Sequence, residues 1–126
     1  MCGIVGYVTR TGSGPAQPAE LLHRMSDALA HRGPDGAGVW IGEQCGIAHR
    51  RLSVLDLSPA GAQPMATPDG RYHFAINGEV YNFAELRRTH QLDSPPLKSK
   101  TDSEVVLRLL ARRGPQEALK LDSKGI

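Results

Sequence analysis

Cysteine is scarce in this chain: Cys2 and Cys45 are the only two among 126 residues. Two thiols are too few for a disulfide framework, and in a reducing compartment each is expected to be free. There is no CxxC pair, and His23, His31, His49, His73 and His90 are not spaced for a zinc site, so no metal is expected. Long apolar runs are missing too. No stretch of 18 apolar residues occurs, and the N-terminus lacks the basic and long apolar regions of a secretory signal, so the expectation is a cytoplasmic protein without a membrane span. Charge of one sign is also absent. Charged residues make up 22% of the chain with a net charge of +2 and both signs mixed, which excludes the one-sided basic field that nucleic acid or an anionic membrane selects. A small molecule or another protein is the expected partner.

What the chain does have is glycine and proline, 14 and nine residues spread over turn positions rather than gathered in one tract. With a length typical of one domain, this describes a turn-rich fold able to bury its own core. GIVGYV (3–8) reads as a buried strand followed by the loop TRTGSGPAQ. Pro18 to Ala30 carries Leu21, Leu22, Met25, Ala28 and Leu29 at helical spacing, with Gly33-Pro34 beyond its end. AGVWI (37–41) and CGIAHRRLSVLDL (45–57) flank a short connection, which predicts a hairpin whose second arm is long or bent. RYHFAIN (71–77) follows an Asp69-Gly70 turn and alternates like a half-buried strand. Two capping boxes, Asn82-x-x-Glu85 and Thr101-x-x-Glu104, open two helices, and Gly114-Pro115 stops the second. This order of elements is α+β, without internal repeats or a dividing linker.

Three features carry possible chemistry. Removal of Met1 would leave Cys2 with a free α-amino group, which titrates at about 7.7–8.0 when unperturbed and so can take the proton of the thiol on the same residue. The plain alternative is a small hydrophobe at a strand start. Asn77-Gly78 is a turn dipeptide, but an amide side chain beside a bare backbone N–H also offers two donors to a tetrahedral oxyanion. Arg50 and Arg51 lie within an apolar strand and cannot both enter the core unpaired, so one of them is expected to face a cleft. The arginine fork suits a carboxylate, and Asp102 at a helix start is either a solvated first-turn acid or a site for an ammonium.

MCGIVGY, HRGPDGAGVW (31–40), AHRRLSVLDLSPAGAQPM (48–65), NGEVYNFAELR (77–87) and KTDSEVVL (100–107) occur in this order. Together they resemble the glutamine-hydrolysing domain of class II glutamine amidotransferases, in the asparagine synthetase branch, over most of residues 1 to about 115. The resemblance implies an N-terminal-nucleophile (Ntn) α/β/β/α sandwich in which Cys2 attacks the side-chain amide of L-glutamine to form a glutamyl thioester and ammonia. It places Asn77 and Gly78 in the oxyanion hole. It also assigns Arg51, with the backbone of Leu52, Ser53, Val54 and Leu55, to the substrate α-carboxylate, and Glu79 and Asp102 to the α-ammonium. The implied partner is a synthetase domain or subunit that activates aspartate with ATP and Mg²⁺, so this chain itself is expected to hold no cofactor.

The sequence departs from that pattern in three places, one being that residues 1–126 hold no synthetase domain and so no ATP site is expected in this chain. Around Asp102 it reads Lys-Thr-Asp-Ser-Glu where the family more often has a Ser-Asp-Thr-Glu form, although Asp102 and Glu104 keep their spacing. Beyond Gly114-Pro115 the family continues through further strands, whereas here EALKLDSKGI follows. Residues 1–126 are therefore expected to form the N-terminal part of the amidotransferase domain, an incomplete sandwich whose exposed apolar faces and edges predict instability or association, including a homo-oligomer. The alternatives are an inactive fragment or interaction module, and an amidotransferase serving another ammonia acceptor.

Overall fold

β-Branched and aromatic residues between glycine turns build the first layer of the molecule. The computed structural model describes residues 1–11 and 13–122. Gly12 of the expected loop and residues 123–126 of the off-pattern tail lie outside the described residues. Strands β1 (Gly3–Val8), β2 (Gly36–Ile41) and β3 (Cys45–Arg51) form an antiparallel sheet in the order β1-β3-β2. Gly3 pairs with Arg50 and Tyr7 with Gly46 across one side of β3, while Ala37 pairs with Arg50 and Trp40 with Ile47 across the other. The hairpin closes where the Gly42 amide donates to the Cys45 carbonyl at 2.7 Å.

Alternation gives this sheet two different faces. Gly3, Gly46, Ala48 and Arg50 share the face covered by helix α1 (Pro18–Asp27), where Leu22 and Ala48 are fully buried. Glycine at 46 is what lets α1 come close, since a Cβ there would stand 2.8 Å from both Leu22 and Tyr7. The helix is shorter than the expected span to Ala30. After Asp27 its carbonyls pass to tighter bonds three residues on, as in Leu29 N–H to Ser26 and Arg32 N–H to Leu29, and the chain turns into HRGPDG.

The opposite face meets a thin second layer. Strands β4 (Met65–Ala66) and β5 (His73–Phe74) form a two-residue antiparallel pair. His73 stacks on Trp40 of β2 with ring centroids 3.9 Å apart, while Phe74, one residue on, packs toward the helices. Beyond lie helices α2 (Phe83–Thr89), α3 (Asp102–Arg113) and α4 (Pro115–Asp122). Their core joins Val80, Leu86, Leu92, Val105, Val106, Leu109 and Ala118. The architecture is α+β.

Three sequence expectations change. The strand over 71–77 is confined to His73–Phe74, because its partner β4 offers only two residues and the Ile76 amide bonds to a side chain instead. The long arm after Cys45 ends as strand at Arg51 and continues as a loop. Neither capping box closes: Asn82 precedes α2 without a side-chain cap, and its buried Oδ1 has no partner among the described residues. Thr101 does cap α3, accepting from the Glu104 amide at 3.4 Å, but the Glu104 carboxylate turns away to the amides of Lys98 (2.9 Å) and Ser99 (2.6 Å). Gly114 ends α3, and Pro115 then opens a further helix, α4, that the motifs do not mark.

Candidate active site

The register that starts the sheet also starts the site. Because Gly3 pairs with Arg50, the next step places Cys2 across from Arg51 at the end of the central strand. The period of two then separates the adjacent arginines. Arg50 turns to α1, where its Nε donates to the Ser26 carbonyl (3.1 Å) and hydroxyl (3.0 Å) and its Nη2 pairs with Asp27. This places a cation at the helix C-terminus, where the dipole favours it. Arg51 turns the other way into a cavity of about 370 Å³.

That cavity is lined by Cys2 and Arg51, by Leu52, Val54 and Leu55 from the loop after β3, by Asn77, Gly78 and Glu79 after β5, and by Asp102 at the first turn of α3. Ser53 is the expected residue it does not include. The Ser53 amide is held by Asp35 Oδ2 at 2.8 Å, and the residue faces a separate, smaller cleft.

The Cys2 thiol rests on the backbone of Leu52: the Leu52 amide donates to Sγ at 3.3 Å, and Sγ lies 3.7 Å from the Leu52 carbonyl as a donor. One amide of the 52–55 backbone is thereby engaged by the nucleophile candidate itself. Arg32, from HRGPDG, donates from Nε to the Cys2 carbonyl at 3.1 Å and fixes the chain just before β1. Met1 also lines the cavity and is 76% exposed.

Arg51 holds its own loop in place. Its Nη1 donates to the Ser58 carbonyl at 2.7 Å and its Nη2 to the Asp56 carbonyl, which uses two of the five guanidinium N–H groups. The Asp56 carboxylate accepts from the Lys100 amide at 2.9 Å and the Ser58 amide at 2.8 Å. These bonds, Lys100 first, hold the Asp56 pKa down at about 2, so the loop is pinned to the segment before α3 by an ionised carboxylate.

Asp102 is buried, with Oδ2 accepting from the Val80 amide at 2.7 Å and Oδ1 from the Ser103 amide at 2.8 Å. Oδ1 also accepts from the Ser103 hydroxyl at 3.4 Å, so it is Oδ2 that keeps lone-pair capacity for a cation in the cavity. Asn77 and Glu79 are exposed, and among the described residues their side chains make no hydrogen bond or ion pair. The site thus has a tethered thiol, a fixed guanidinium, a buried carboxylate and unengaged amide donors around one space. That inventory suits acyl transfer from a small zwitterionic amide. Among the described residues, no group of three or more His, Cys, Asp or Glu is placed to hold a metal ion, and no helix is long and apolar enough to cross a membrane.

The family model of the glutamine amidotransferase domain matches residues 1–125. The chain belongs to that family. The amidotransferase domain is 36% identical over 124 residues to the amidase chry2 of Gibberella zeae, covering 90% of this chain and 18% of that protein. It is 34% identical over 122 residues to the glutamine-hydrolyzing asparagine synthetase 1 of Bacillus subtilis, with 96% and 19% covered. Asparagine synthetase B of Escherichia coli is 34% identical over 117 residues, with 92% and 20% covered. The chain spans about a fifth of the length of the curated relatives it matches.

Several residues of the amidotransferase domain that shape the cavity are not evident from sequence reasoning: Arg32, Asp56, Gly61, Gln63 and Ser103. Gly61 admits the Arg51 guanidinium, since a Cβ there would lie 2.2 Å from Nη2. All five fall inside the quoted motifs, Arg32 in HRGPDGAGVW, Asp56, Gly61 and Gln63 in AHRRLSVLDLSPAGAQPM, and Ser103 in KTDSEVVL. The signal was present as wording without an assigned physical task.

Proposed function

We propose that this domain is the glutamine-hydrolysing part of an asparagine synthetase-like enzyme, and that its layers are an Ntn α/β/β/α sandwich with a reduced second sheet. The observation that carries the reading is that one cavity gathers Cys2, Arg51, Asn77, Gly78, Glu79 and Asp102 from four separate stretches of chain. Arg51, with the backbone of Leu52, Val54 and Leu55, takes the glutamine α-carboxylate, and Glu79 with Asp102 takes its α-ammonium. The side-chain amide then lies against Cys2. With Met1 removed, the α-amine accepts the thiol proton as Sγ bonds to the amide carbon. The Asn77 side chain and Gly78 N–H receive the developing oxyanion. Collapse of this intermediate breaks the C–N bond, with the α-ammonium returning its proton to the departing nitrogen, and ammonia leaves. Water attacks the remaining thioester carbonyl, giving glutamate and the free thiol.

ATP, Mg²⁺ and aspartate belong, in this reading, to a synthetase domain or subunit outside residues 1–126, which receives the ammonia. The amidase chry2 match favours a second reading, in which the same glutaminase chemistry feeds a different acceptor. Supplying a synthetase partner with ATP, Mg²⁺ and aspartate separates the two by whether asparagine forms.

The decisive experiment measures ammonia release from glutamine by the chain with Met1 removed, verified by intact mass. Cys2→Ala is expected to lower the rate by about 10³-fold or more. Equal rates in the two proteins would sink the reading.

A further inference from the structure

The turn that carries Asn77 and Gly78 is not held by a sheet. Strand β5 stops at Phe74, and the chain from Ala75 to Gly78 has no ladder partner among the described residues. Ile76, directly before Asn77, is gripped on both sides by side chains instead. Its amide donates to Gln63 Oε1 at 2.7 Å, and its carbonyl accepts from His49 Nε2 at 3.3 Å. Both gripping residues are deeply placed, Gln63 at 9% and His49 at 1% exposure.

The grip has fixed ends. His49 stands on central strand β3, paired with Ile4 on one side and Gly38 on the other. Gln63 is seated across β2 because residue 38 is glycine: a Cβ there would lie 2.1 Å from the Gln63 carbonyl oxygen. The other end of the Gln63 amide donates from Nε2 to Ser103 Oγ at 3.2 Å, and Ser103 in turn donates its amide to Asp102. The amide orientation follows from the partners, since Ile76 N–H can only donate. The Ile76 amide and carbonyl, which would otherwise be buried or half-buried without a ladder, are satisfied by this arrangement.

From this we infer that Gln63 and His49 are positioning residues that clamp the Ile76 peptide, and that Gln63 also sets the Asn77-Gly78 donors at a constant distance from Asp102. The inference rests on the glutaminase reading for its catalytic consequence, although the clamp itself is independent of it. Oxyanion donors act through placement, so releasing the clamp lowers turnover while leaving the ammonium and carboxylate sites of the substrate in place.

The test combines amide exchange and steady-state kinetics on the full chain with Met1 removed. Gln63→Leu keeps the volume but removes both bonds. It is expected to speed exchange of the Ile76 amide about tenfold or more while Val105 and Leu109 in α3 exchange as before. It should also lower kcat about 10–100-fold with KM for glutamine held within about threefold. Gln63→Glu retains an acceptor for Ile76 and is expected to restore the protection and most of kcat. Should Gln63→Leu fail to fold, Ser103→Ala carries the exchange part of the test, because it frees the far end of Gln63, together with the 3.4 Å bond from the Ser103 hydroxyl to Asp102 Oδ1, and should still raise Ile76 exchange several-fold. The inference is overturned by wild-type Ile76 exchange in Gln63→Leu or Ser103→Ala, by a purely KM effect, or by a kcat loss that Gln63→Glu shares in full. Equal ammonia release by wild type and Cys2→Ala would instead remove the glutaminase reading, and the exchange measurements would still judge the clamp.

Discussion

Adjacent arginines show how one residue step decides function in a strand. Arg50 and Arg51 have the same chemistry, and the period of two sends Arg50 to the carbonyl end of α1 and Arg51 to the cavity. The Arg51 fork is then oriented by the Ser58 and Asp56 carbonyls and by the space above Gly61. A methyl group at 61 meets Nη2 at 2.2 Å and Thr101 Cγ2 at 3.0 Å, and the tip of a long side chain is what yields. Gly61→Ala is therefore expected to cost stability no more than about 1 kcal/mol while displacing the guanidinium. Under the proposed function, KM for glutamine rises about tenfold and kcat changes little, since the fork binds the ground state and transition state alike. Steady-state kinetics beside a urea unfolding curve checks this, and an unchanged KM would separate Arg51 from the substrate.

Elements were legible in the sequence wherever local pattern and long-range partner agree. β1 and β2 are rich in β-branched and aromatic residues and find β3 between them, and α1 and α3 have apolar stripes that find a surface. Tyr72 to Asn77 alternates just as well, yet it becomes mostly loop because β4 supplies only Met65 and Ala66. Cys2, Arg51, Asn77 and Asp102 could be read because their residue types announce chemistry. Gln63 could not, because a neutral amide in a proline-flanked loop has no periodicity or charge to mark its task. Glu104 shows the same limit in a cap. Its spacing from Thr101 suggested a reciprocal box, while the carboxylate serves the Lys98 and Ser99 amides and the Ser99 hydroxyl. Burial pushes this carboxyl up, but those bonds together with Arg108 outweigh it and hold the pKa below its ordinary value. Glu104→Ala leaves two amides and a hydroxyl without their acceptor and is expected to destabilise the protein by about 2–4 kcal/mol, against about 1 for Thr101→Ala. Urea midpoints of the two variants measure the difference; equal losses would contradict the network.

At the scale of the whole molecule, the cavity lies between two separately packed halves. Leu22 and Ala48 are buried under α1, and the cluster from Val80 to Ala118 is buried among α2, α3 and α4. His49 reaches from β3 to the Ile76 carbonyl across the space between them, so its charge state bears on how the halves meet. Burial lowers its pKa most, the bond to Ile76 opposes this, and the nearby Arg51 charge lowers it further, for a net fall below 6.5. Its Nδ1 is buried with no partner among the described residues, so a second ring proton would have nothing to bond. In the unfolded chain the imidazole takes up a proton near its ordinary value of about 6.5, whereas the folded protein resists it. The unfolded state therefore binds more protons below that pH, and folding stability falls as pH drops from about 6.5 toward the folded-state pKa. Asp56 and Glu104, both held below the ordinary carboxyl range, add their losses at lower pH. Between pH 7.5 and 5 the urea midpoint is expected to decline, and His49→Gln, which keeps a donor for the Ile76 carbonyl without a titrating ring, should flatten that decline. A wild-type slope retained in His49→Gln would show that the contact between the halves is insensitive to this residue.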